Sequence, residues 1–282
     1  MPKSTKPTIV GRGLAGELRA LREASKLSVR AVASQLDWQA SKLSRMETGQ
    51  QGIRVEDVAS LLVIYRVTGN ERKRLLGMAE RSDEPNWWEV LGGISAESRT
   101  LIQLEAEAIA IFDYEPLLVP GLLQTADYTR ALMKSGGVPD VDAQARVAAR
   151  LGRQAILTKN EPPDLNIIID EGVLHRTLST SAMHARQLRH LLEMAARPSI
   201  TLRVIPRSVG AHNGLDGSFV LLDFPRNRSV AYFDHKISGL FLEDPDQVTF
   251  LRREADALTG VALSPTDSLE LVAQVATQRE RE

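Results

Sequence analysis

Residues 28–49 read SVRAVASQLDWQASKLSRMETG, and this stretch decides the fold of the first part of the chain. Ser28 suits the N-cap of a helix whose apolar side would hold Val29, Val32, Ala33 and Leu36. Asp37-Trp38 interrupts this spacing as a tight turn does. A further helix is predicted from about Gln39 to Thr48, with Gly49 placed as its C-cap. The stretch therefore predicts two short helices joined by a turn.

More helices are predicted on both sides of this pair. Leu14, Leu18 and Leu21 recur at the spacing of one helix face, which predicts a helix from about Gly13 to Lys26. A fourth helix is predicted over residues 55–65. Thr68-Gly69-Asn70-Glu71 has the form of a capping box that opens a fifth. Gly11 to Gly16 match the dinucleotide fingerprint, but without a βαβ context we interpret them as a flexible entry to the first helix.

The third predicted helix has two chemically different faces. At about 100° per residue, Ala40, Leu43 and Met46 fall on the side facing the first two helices. Small polar and basic side chains point away from them, which suits base edges and phosphates in a DNA groove. A solvated helix face is the alternative. The residues expected to contact DNA are Ser28, Arg30, Gln39, Ser41, Lys42, Ser44, Arg45, Gln50 and Arg54.

The charge of the chain is unevenly distributed. Residues 1–75 contain 14 Lys and Arg residues and 7 Asp and Glu residues. Residues 76–282 contain 21 Lys and Arg residues and 29 Asp and Glu residues. A net charge of about +7 thus precedes one of about −8, although the whole chain carries only −1. Chance clustering is one explanation. A DNA-binding head attached to a body that does not bind DNA is the other.

The end of the third helix resembles the signature Ser-x-x-Glu-x-Gly of the XRE (phage-repressor-like) family, met here by Ser44, Glu47 and Gly49. The resemblance implies a domain of five helices. Glu47 falls on the inward side of its helix, and we expect a structural ion pair with Arg19 or Arg22. Two positions depart from the family pattern: Gln39 stands at the usual Ser or Thr N-cap and Ala40 at a frequent Gln. The operator sequence therefore cannot be taken from relatives.

The rest of the chain is predicted to mix helices and strands. Arg81 to Asn86 form a polar break, so we place the domain boundary near residue 80, with Trp87-Trp88 anchoring the linker. A helix is expected over residues 97–112, further helices over 171–197, and helices capped by Thr125, Asp244 and Ser264. Leu269, Val272 and Val275 form a stripe that is either core or a dimer contact. Short strands are expected at residues 165–170, 201–206, 218–224, 229–234 and 239–243, the last four as an antiparallel meander.

The stretch Pro120-Gly121-Leu122-Leu123-Gln124-Thr125, followed by Tyr128 and Arg130-Ala131, resembles a second family marker. It is similar to actinobacterial XRE-type regulators that carry a large C-terminal domain of unknown function. The Arg-rich segment from Arg146 to Leu157 and Asp170 to Leu174 fit the same pattern. The resemblance implies an antitoxin-like arrangement, in which a small protein encoded by a neighbouring gene is the partner.

No pattern of catalytic residues is visible. The five histidines lie outside any His-Glu-x-x-His motif, and no Gly-x-Ser-x-Gly elbow or phosphate-binding loop occurs. The absence of cysteine excludes disulfides and thiolate metal sites. We therefore expect no enzyme, cofactor or metal. Without a long apolar run or a signal segment, we also expect no membrane contact and a cytoplasmic location.

Together these patterns predict an α+β protein with two domains. Residues 1–80 are expected to form an all-α, five-helix helix-turn-helix domain. Residues 81–282 are expected to form a larger mixed domain with a small, mostly antiparallel sheet and packed helices. The predicted function is a transcriptional regulator that binds a double-stranded DNA operator as a homodimer, while its second domain senses a protein or small ligand. The alternatives are an enzyme or a protein-interaction scaffold that carries a helix-turn-helix head.

Overall fold

The computed structural model describes residues 9–48, 50–81, 94–225, 228–235 and 238–282. The chain divides into two compact units, Met1–Val90 and Leu91–Glu282. The predicted boundary near residue 80 falls at the end of a helix, and the segment around Trp87-Trp88 lies outside the described residues, as does the predicted C-cap Gly49. The helices of the first unit are α1 (Ile9–Ala24), α2 (Val29–Gln35), α3 (Ala40–Glu47), α4 (Val55–Ile64) and α5 (Gly69–Arg81).

The first unit is built around one apolar core. Leu14 and Leu18 of α1, Val32 of α2, and Leu43 and Met46 of α3 are all fully buried in it. The predicted apolar faces are therefore correct. The first helix is longer than predicted, because it begins at Ile9. Gly11 to Gly16 thus lie inside α1, and our interpretation of them as a flexible entry was wrong.

The second unit contains a six-stranded sheet in the order β3-β2-β1-β4-β5-β6. Strands β1, β2 and β3 are mutually parallel neighbours, whereas β1 with β4, β4 with β5, and β5 with β6 pair antiparallel. The strands are β1 (Ala110–Glu115), β2 (Asp164–Asp170), β3 (Ile200–Ile205), β4 (Phe219–Phe224), β5 (Arg228–His235) and β6 (Ser238–Leu242).

This sheet corrects the expectation of a small antiparallel one. Only β4, β5 and β6 form the predicted meander, since β3 lies at the far edge beside β2. The central strand β1 was predicted as the end of a helix over residues 97–112. Leu101, Leu104, Ala108 and Ile111 continue a helical spacing, but the helix ends at Glu107. Residues 110–115 form a strand because β2 and β4 pair with them on both sides.

Helices cover both faces of the sheet, which makes the second unit a three-layer structure. Along β2, Ile167 and Ile169 enter the larger core, and Ile168 enters the smaller core beneath the helix Pro245–Val261. Val272 and Val275 are buried in the larger core, so that predicted stripe belongs to the core. The helices are α6 (Ala96–Glu107), α7 (Ala126–Ser135), α8 (Asp140–Arg153), α9 (Glu171–His175), α10 (Ser181–Ala195), α11 (Pro245–Val261) and α12 (Pro265–Glu280).

The predicted helix caps in this unit are confirmed. The side chains of Thr125, Asp244 and Ser264 accept hydrogen bonds from the backbone N–H groups of Tyr128, Gln247 and Asp267, respectively. Each cap accepts a hydrogen bond from a backbone N–H group in the first turn, where the helix itself offers no carbonyl acceptor. These starts could be read from the sequence because a cap is a local interaction.

Candidate nucleic-acid interface and a polar cavity

A buried ion pair fixes the orientation of α3 against α1. Arg22 Nε lies 2.8 Å from Glu47 Oε1, and Nη2 lies 2.9 Å from Oε2. The third nitrogen, Nη1, donates to the carbonyl of Leu27 at 2.9 Å and so ties in the segment before α2. The hydrogen bond to Glu47 raises the pKa of Arg22. Arg22 is thus the predicted partner of Glu47, whereas Arg19 pairs with Glu23.

The turn between α2 and α3 is set by local geometry. Ser28 accepts a hydrogen bond from the backbone N–H of Ala31 at 3.1 Å, which confirms it as the N-cap of α2. Asp37 adopts a φ of 55°, a left-handed conformation that short polar side chains tolerate. The Trp38 N–H donates back to the Ala33 carbonyl at 2.8 Å. The turn therefore brings α3 across α2, as in a helix-turn-helix.

The outer face of α3 carries most of the predicted contact residues. Gln39, Ser41, Ser44 and Arg45 are exposed, and Arg45 Nε donates only a long hydrogen bond, 3.4 Å, to Gln51. Gln39 makes no side-chain cap for the helix, so its amide stays available. Ser41, Ser44 and Arg45 share one face of the helix at the spacing i, i+3 and i+4, and Gln39 lies at the N-cap before its first turn. Together they present amide, hydroxyl and guanidinium groups. Such groups can bind base edges and phosphates.

Lys42 is the exception on this helix. Its Nζ lies 2.7 Å from Asp57 Oδ1 of α4 and 3.8 Å from the ring centroid of Trp38. The side chain is half-buried, because an ion pair and a cation–π contact hold its ammonium group. Contact of Lys42 with DNA stays a prediction. In the structure, the positive charge of Lys42 is paired with the carboxylate of Asp57.

The remaining predicted contact residues flank α3. Ser28, Arg30, Gln50 and Arg54 are all exposed. Arg54 precedes α4, and Arg30 lies in the first turn of α2. Among the described residues, no carboxylate forms an ion pair with either arginine. Their charges are therefore available to phosphates, and DNA contact at all four positions stays a prediction.

The second unit contains a polar cavity of about 490 Å³. One wall is α8, which presents Arg146, Arg150 and Arg153 on successive turns. The opposite wall comes from β5 and β6 and includes Tyr232 and Asp234. Ser95, Glu97 and Ser98 at the start of α6 also line the cavity. Ile102, Met133 and Ala149 contribute apolar groups to the lining. This volume lies within the usual range for small-molecule sites, about 300–1,000 Å³.

The two inner arginines of α8 have different partners. Arg153 makes two hydrogen bonds to the buried Glu105, at 2.8 and 2.6 Å. Arg150 Nη1 donates to the neutral amide oxygen of Gln124 at 2.9 Å. Burial and the neighbouring Arg153 lower the pKa of Arg150 to about 10. The charge of Arg153 is thus matched by a carboxylate, whereas that of Arg150 is matched less completely.

Two carboxyl groups of β1 lie beneath this helix. Burial, together with repulsion from Glu105, raises the pKa of Asp113 to about 7. Its Oδ1 atom is buried without a hydrogen-bond partner among the described residues. Burial also raises the pKa of Glu115 well above its ordinary value. These groups therefore compensate the arginine charges less than ordinary carboxylates would.

The sheet wall of the cavity is held close by a glycine. A Cβ atom on Gly239 would lie 2.7 Å from Tyr232 Cε2 and 3.1 Å from Glu97 Cβ. Only glycine therefore lets β6 approach this closely. The Tyr232 hydroxyl donates to Asp234 Oδ1 at 3.0 Å, which leaves the exposed carboxylate an acceptor with capacity to spare.

No residue of this cavity was predicted as a site residue from the sequence. The spacing of Arg146, Arg150 and Arg153, one face of a helix, was the available signal. It could not show that β5 and β6 lie opposite. Among the described residues, no group of three or more histidine, aspartate or glutamate side chains is placed to hold a metal ion. Within the same residues, no helix is long and apolar enough to cross a membrane.

Comparison with known protein families identifies both units. Residues 14–75 match a helix-turn-helix domain, which spans α1 to α5. Residues 98–274 match a domain of unknown function, DUF5753, which covers the sheet, its helices and most of the cavity lining. Neither a curated protein nor a solved structure matches the chain.

Proposed function

The chain belongs to the DUF5753 family, and from this membership and its helix-turn-helix domain we propose that it is a sequence-specific transcriptional regulator. The exposed face of α3 carries the proposal. Ser41, Ser44 and Arg45 share the exposed face, and Gln39 precedes them at the N-cap, on a helix whose angle is fixed by the buried Arg22–Glu47 pair. A rigid helix that presents polar and basic groups is what major-groove recognition requires.

In this proposal, side chains of α3 contact the base edges, and residues before and after α3 bind the phosphates of the DNA backbone. Arg45 is the residue suited to guanine, through two parallel hydrogen bonds. Arg30, Arg54 and the hydroxyl of Ser28 would hold the backbone on either side. Because one helix-turn-helix covers few base pairs, we further propose that two copies bind paired half-sites.

The second unit, in this proposal, is a sensory domain without catalytic activity. It would change the DNA affinity of the first unit when it binds a small ligand or a protein encoded by a neighbouring gene. The polar cavity between α8 and β5–β6 supports a ligand role, since it has the volume and the polar groups of a binding site. The resemblance to antitoxin-like regulators supports the protein partner.

The proposed function is tested by selecting DNA from a fragmented genomic pool with the full chain. The expected result is enrichment of a few sites that share a motif, bound at least ~10³-fold more tightly than random duplex at the same salt concentration. The selection is repeated with the product of the neighbouring gene, which should change the yield of these sites. The variant Arg45→Ala is the matched control and should enrich them poorly. Enrichment of no site would overturn the proposal.

A further inference from the structure

The cavity of the second unit has a charge arrangement that specifies a ligand, and the inference drawn from it rests on the proposed sensory function. Arg150 lines the cavity and is half-buried. Its Nη1 atom donates a hydrogen bond to the neutral Gln124 side-chain oxygen, 2.9 Å away, and no further acceptor for its guanidinium lies within hydrogen-bonding distance among the described residues. A guanidinium has five N–H donors in a planar fork. Arg150 therefore presents unused donors toward the cavity.

The carboxylates of Asp234, Glu115 and Glu105 attract Arg150 and act to raise its pKa, but among the described residues none of them forms a hydrogen bond with its guanidinium. Arg153 is a second cation, and it holds Glu105 through two hydrogen bonds. Asp113 has a pKa raised to about 7 by burial, and the pKa of Glu115 is raised as well. A buried cation is costly unless it is paired. An acid group entering the cavity would provide the direct, charge-assisted hydrogen bonds that these carboxylates do not form with Arg150.

The opposite wall has the complementary chemistry. Asp234 is exposed at the cavity and accepts one hydrogen bond, from Tyr232. Glu97 and the hydroxyls of Ser95 and Ser98 add further acceptors on the α6 side. The pKa of Glu97 is lowered by hydrogen bonds to its own backbone N–H and to Ser95, so this carboxylate stays ionised. A ligand that spans the cavity thus meets a cationic fork at one end and carboxylates at the other.

We propose that this cavity binds a small amphoteric molecule, whose acid group is held by Arg150 and whose ammonium or hydroxyl groups are held by Asp234 and Glu97. The planar fork of Arg150 can bind a carboxylate or a phosphate through two parallel hydrogen bonds. Ile102 and Met133 provide room for a short aliphatic spacer between the two ends. The proposed ligands therefore share two groups on one small molecule: a carboxylate or phosphate, and an ammonium or hydroxyl group that donates hydrogen bonds.

The test is a thermal-unfolding titration of the full chain, without DNA, using three matched probes. Phosphoethanolamine and β-alanine carry an ammonium group and either a phosphate or a carboxylate, while ethanolamine lacks the acid. At about ten times a Kd in the millimolar range, binding raises the Tm of a unit of this size by about 3–5 °C. At least one of the two acids should produce this rise at constant ionic strength, and ethanolamine should not. Which acid acts decides between a phosphate and a carboxylate ligand.

The variant Arg150→Gln should lose the rise, and Arg189→Gln should keep it. Arg189 is exposed and pairs with Glu280 away from the cavity, so it controls for the loss of one positive charge. If Arg150→Gln fails to fold, Arg150→Lys keeps the charge without the fork, and Asp234→Asn removes the opposite contact. Each should weaken binding. No rise with either acid, or an equal rise in the cavity variants, would overturn the inference. Operator binding is measured separately, so failure of the proposed function would leave this result intact.

Discussion

Arg22 and Glu47 show at the residue scale how the recognition helix is held. Their side chains are almost completely buried, and together they join α1, the segment before α2, and α3. The desolvation of such a pair offsets much of its attraction, so its main effect is on geometry. Loss of one partner is different, because it leaves the other charge buried and unpaired.

We therefore predict that Glu47→Ala destabilises the first unit by about 3–5 kcal/mol. Arg22 would keep its contact with the Leu27 carbonyl but lose its only buried carboxylate partner among the described residues. Urea unfolding followed by tryptophan fluorescence and circular dichroism measures the effect. Glu23→Ala is the control, since Glu23 is exposed at the surface, lies 3.5 Å from Arg22 Nη2 without a buried contact, and should change the midpoint little. Equal midpoints for the two variants would contradict the role of the pair.

Asp113 provides a pH-dependent prediction. Its pKa is raised to about 7, first by burial and then by Glu105, while Arg153 and Arg150 act in the opposite direction. Between its ordinary pKa and about pH 7, the folded protein holds a proton that the unfolded chain has lost. This group's contribution to stability therefore falls as the pH rises through that window.

Asp113→Asn removes this dependence and should stabilise the second unit more at pH 8 than at pH 5. The difference should be at least ~1.4 kcal/mol, the equivalent of one pKa unit. Thermal unfolding of both proteins at the two pH values measures it, and contributions from all other groups largely cancel in the comparison. An equal effect of the substitution at the two pH values would contradict this prediction, because it would mean that Asp113 is ionised throughout this range.

At the scale of single elements, α3 is the part of the molecule that the sequence describes best. Its apolar face, its exposed face and its ion pair were all predicted, because helical periodicity places side chains without knowledge of the fold. The ion pair of Lys42 was not predicted. Its partner Asp57 lies on α4, and only packing between helices brings the two together.

For the same helix, we predict that Arg45→Ala weakens binding to the selected operator by about 1–3 kcal/mol, roughly 5- to 150-fold. Arg45 is exposed and weakly engaged by Gln51, so its removal should not disturb the fold. Fluorescence anisotropy at fixed salt measures the affinity. Lys73→Ala on α5 removes an exposed charge outside the helix-turn-helix and serves as the control. Wild-type affinity for Arg45→Ala would remove this residue from the base-reading set.

Strand β6 is the element whose position depends on one glycine. We predict that Gly239→Ala destabilises the second unit by about 1–3 kcal/mol, because the new methyl group overlaps the Tyr232 ring. Gly260→Ala is the matched control. It lies in α11 with nothing within 4 Å of an added Cβ atom, and it should stabilise by about 0.5–1 kcal/mol. Thermal unfolding compares the two, and a neutral Gly239→Ala would show that β6 can move away.

At the scale of the whole molecule, the two units differ in charge as well as in fold. The excess of basic residues lies in residues 1–75 and the excess of acidic residues in the rest. Electrostatic attraction to the phosphates of the DNA backbone should therefore arise from the first unit.

We predict that Arg30→Gln reduces the slope of log affinity against log salt by about one for each bound copy of the chain. The loss should be similar for operator and random duplex, since a phosphate contact carries no sequence information. Arg189→Gln, in the second unit, should leave the slope unchanged. Operator affinity measured across a series of salt concentrations tests both. An unchanged slope for Arg30→Gln would mean that Arg30 does not reach the DNA.

Local features could be predicted from the amino-acid sequence: the helices of the first unit, the caps at Ser28, Thr125, Asp244 and Ser264, and most of the strands. These depend on contacts within a few residues, so periodicity and capping chemistry are sufficient to find them. Tertiary structure alone decided the central strand β1, whose helical spacing was overridden by pairing with β2 and β4. It also decided the polar cavity, where Arg150 faces Asp234 from more than eighty positions away in the sequence. No local sequence pattern predicts that these two residues line one cavity, because they come together only when α8 packs against the sheet.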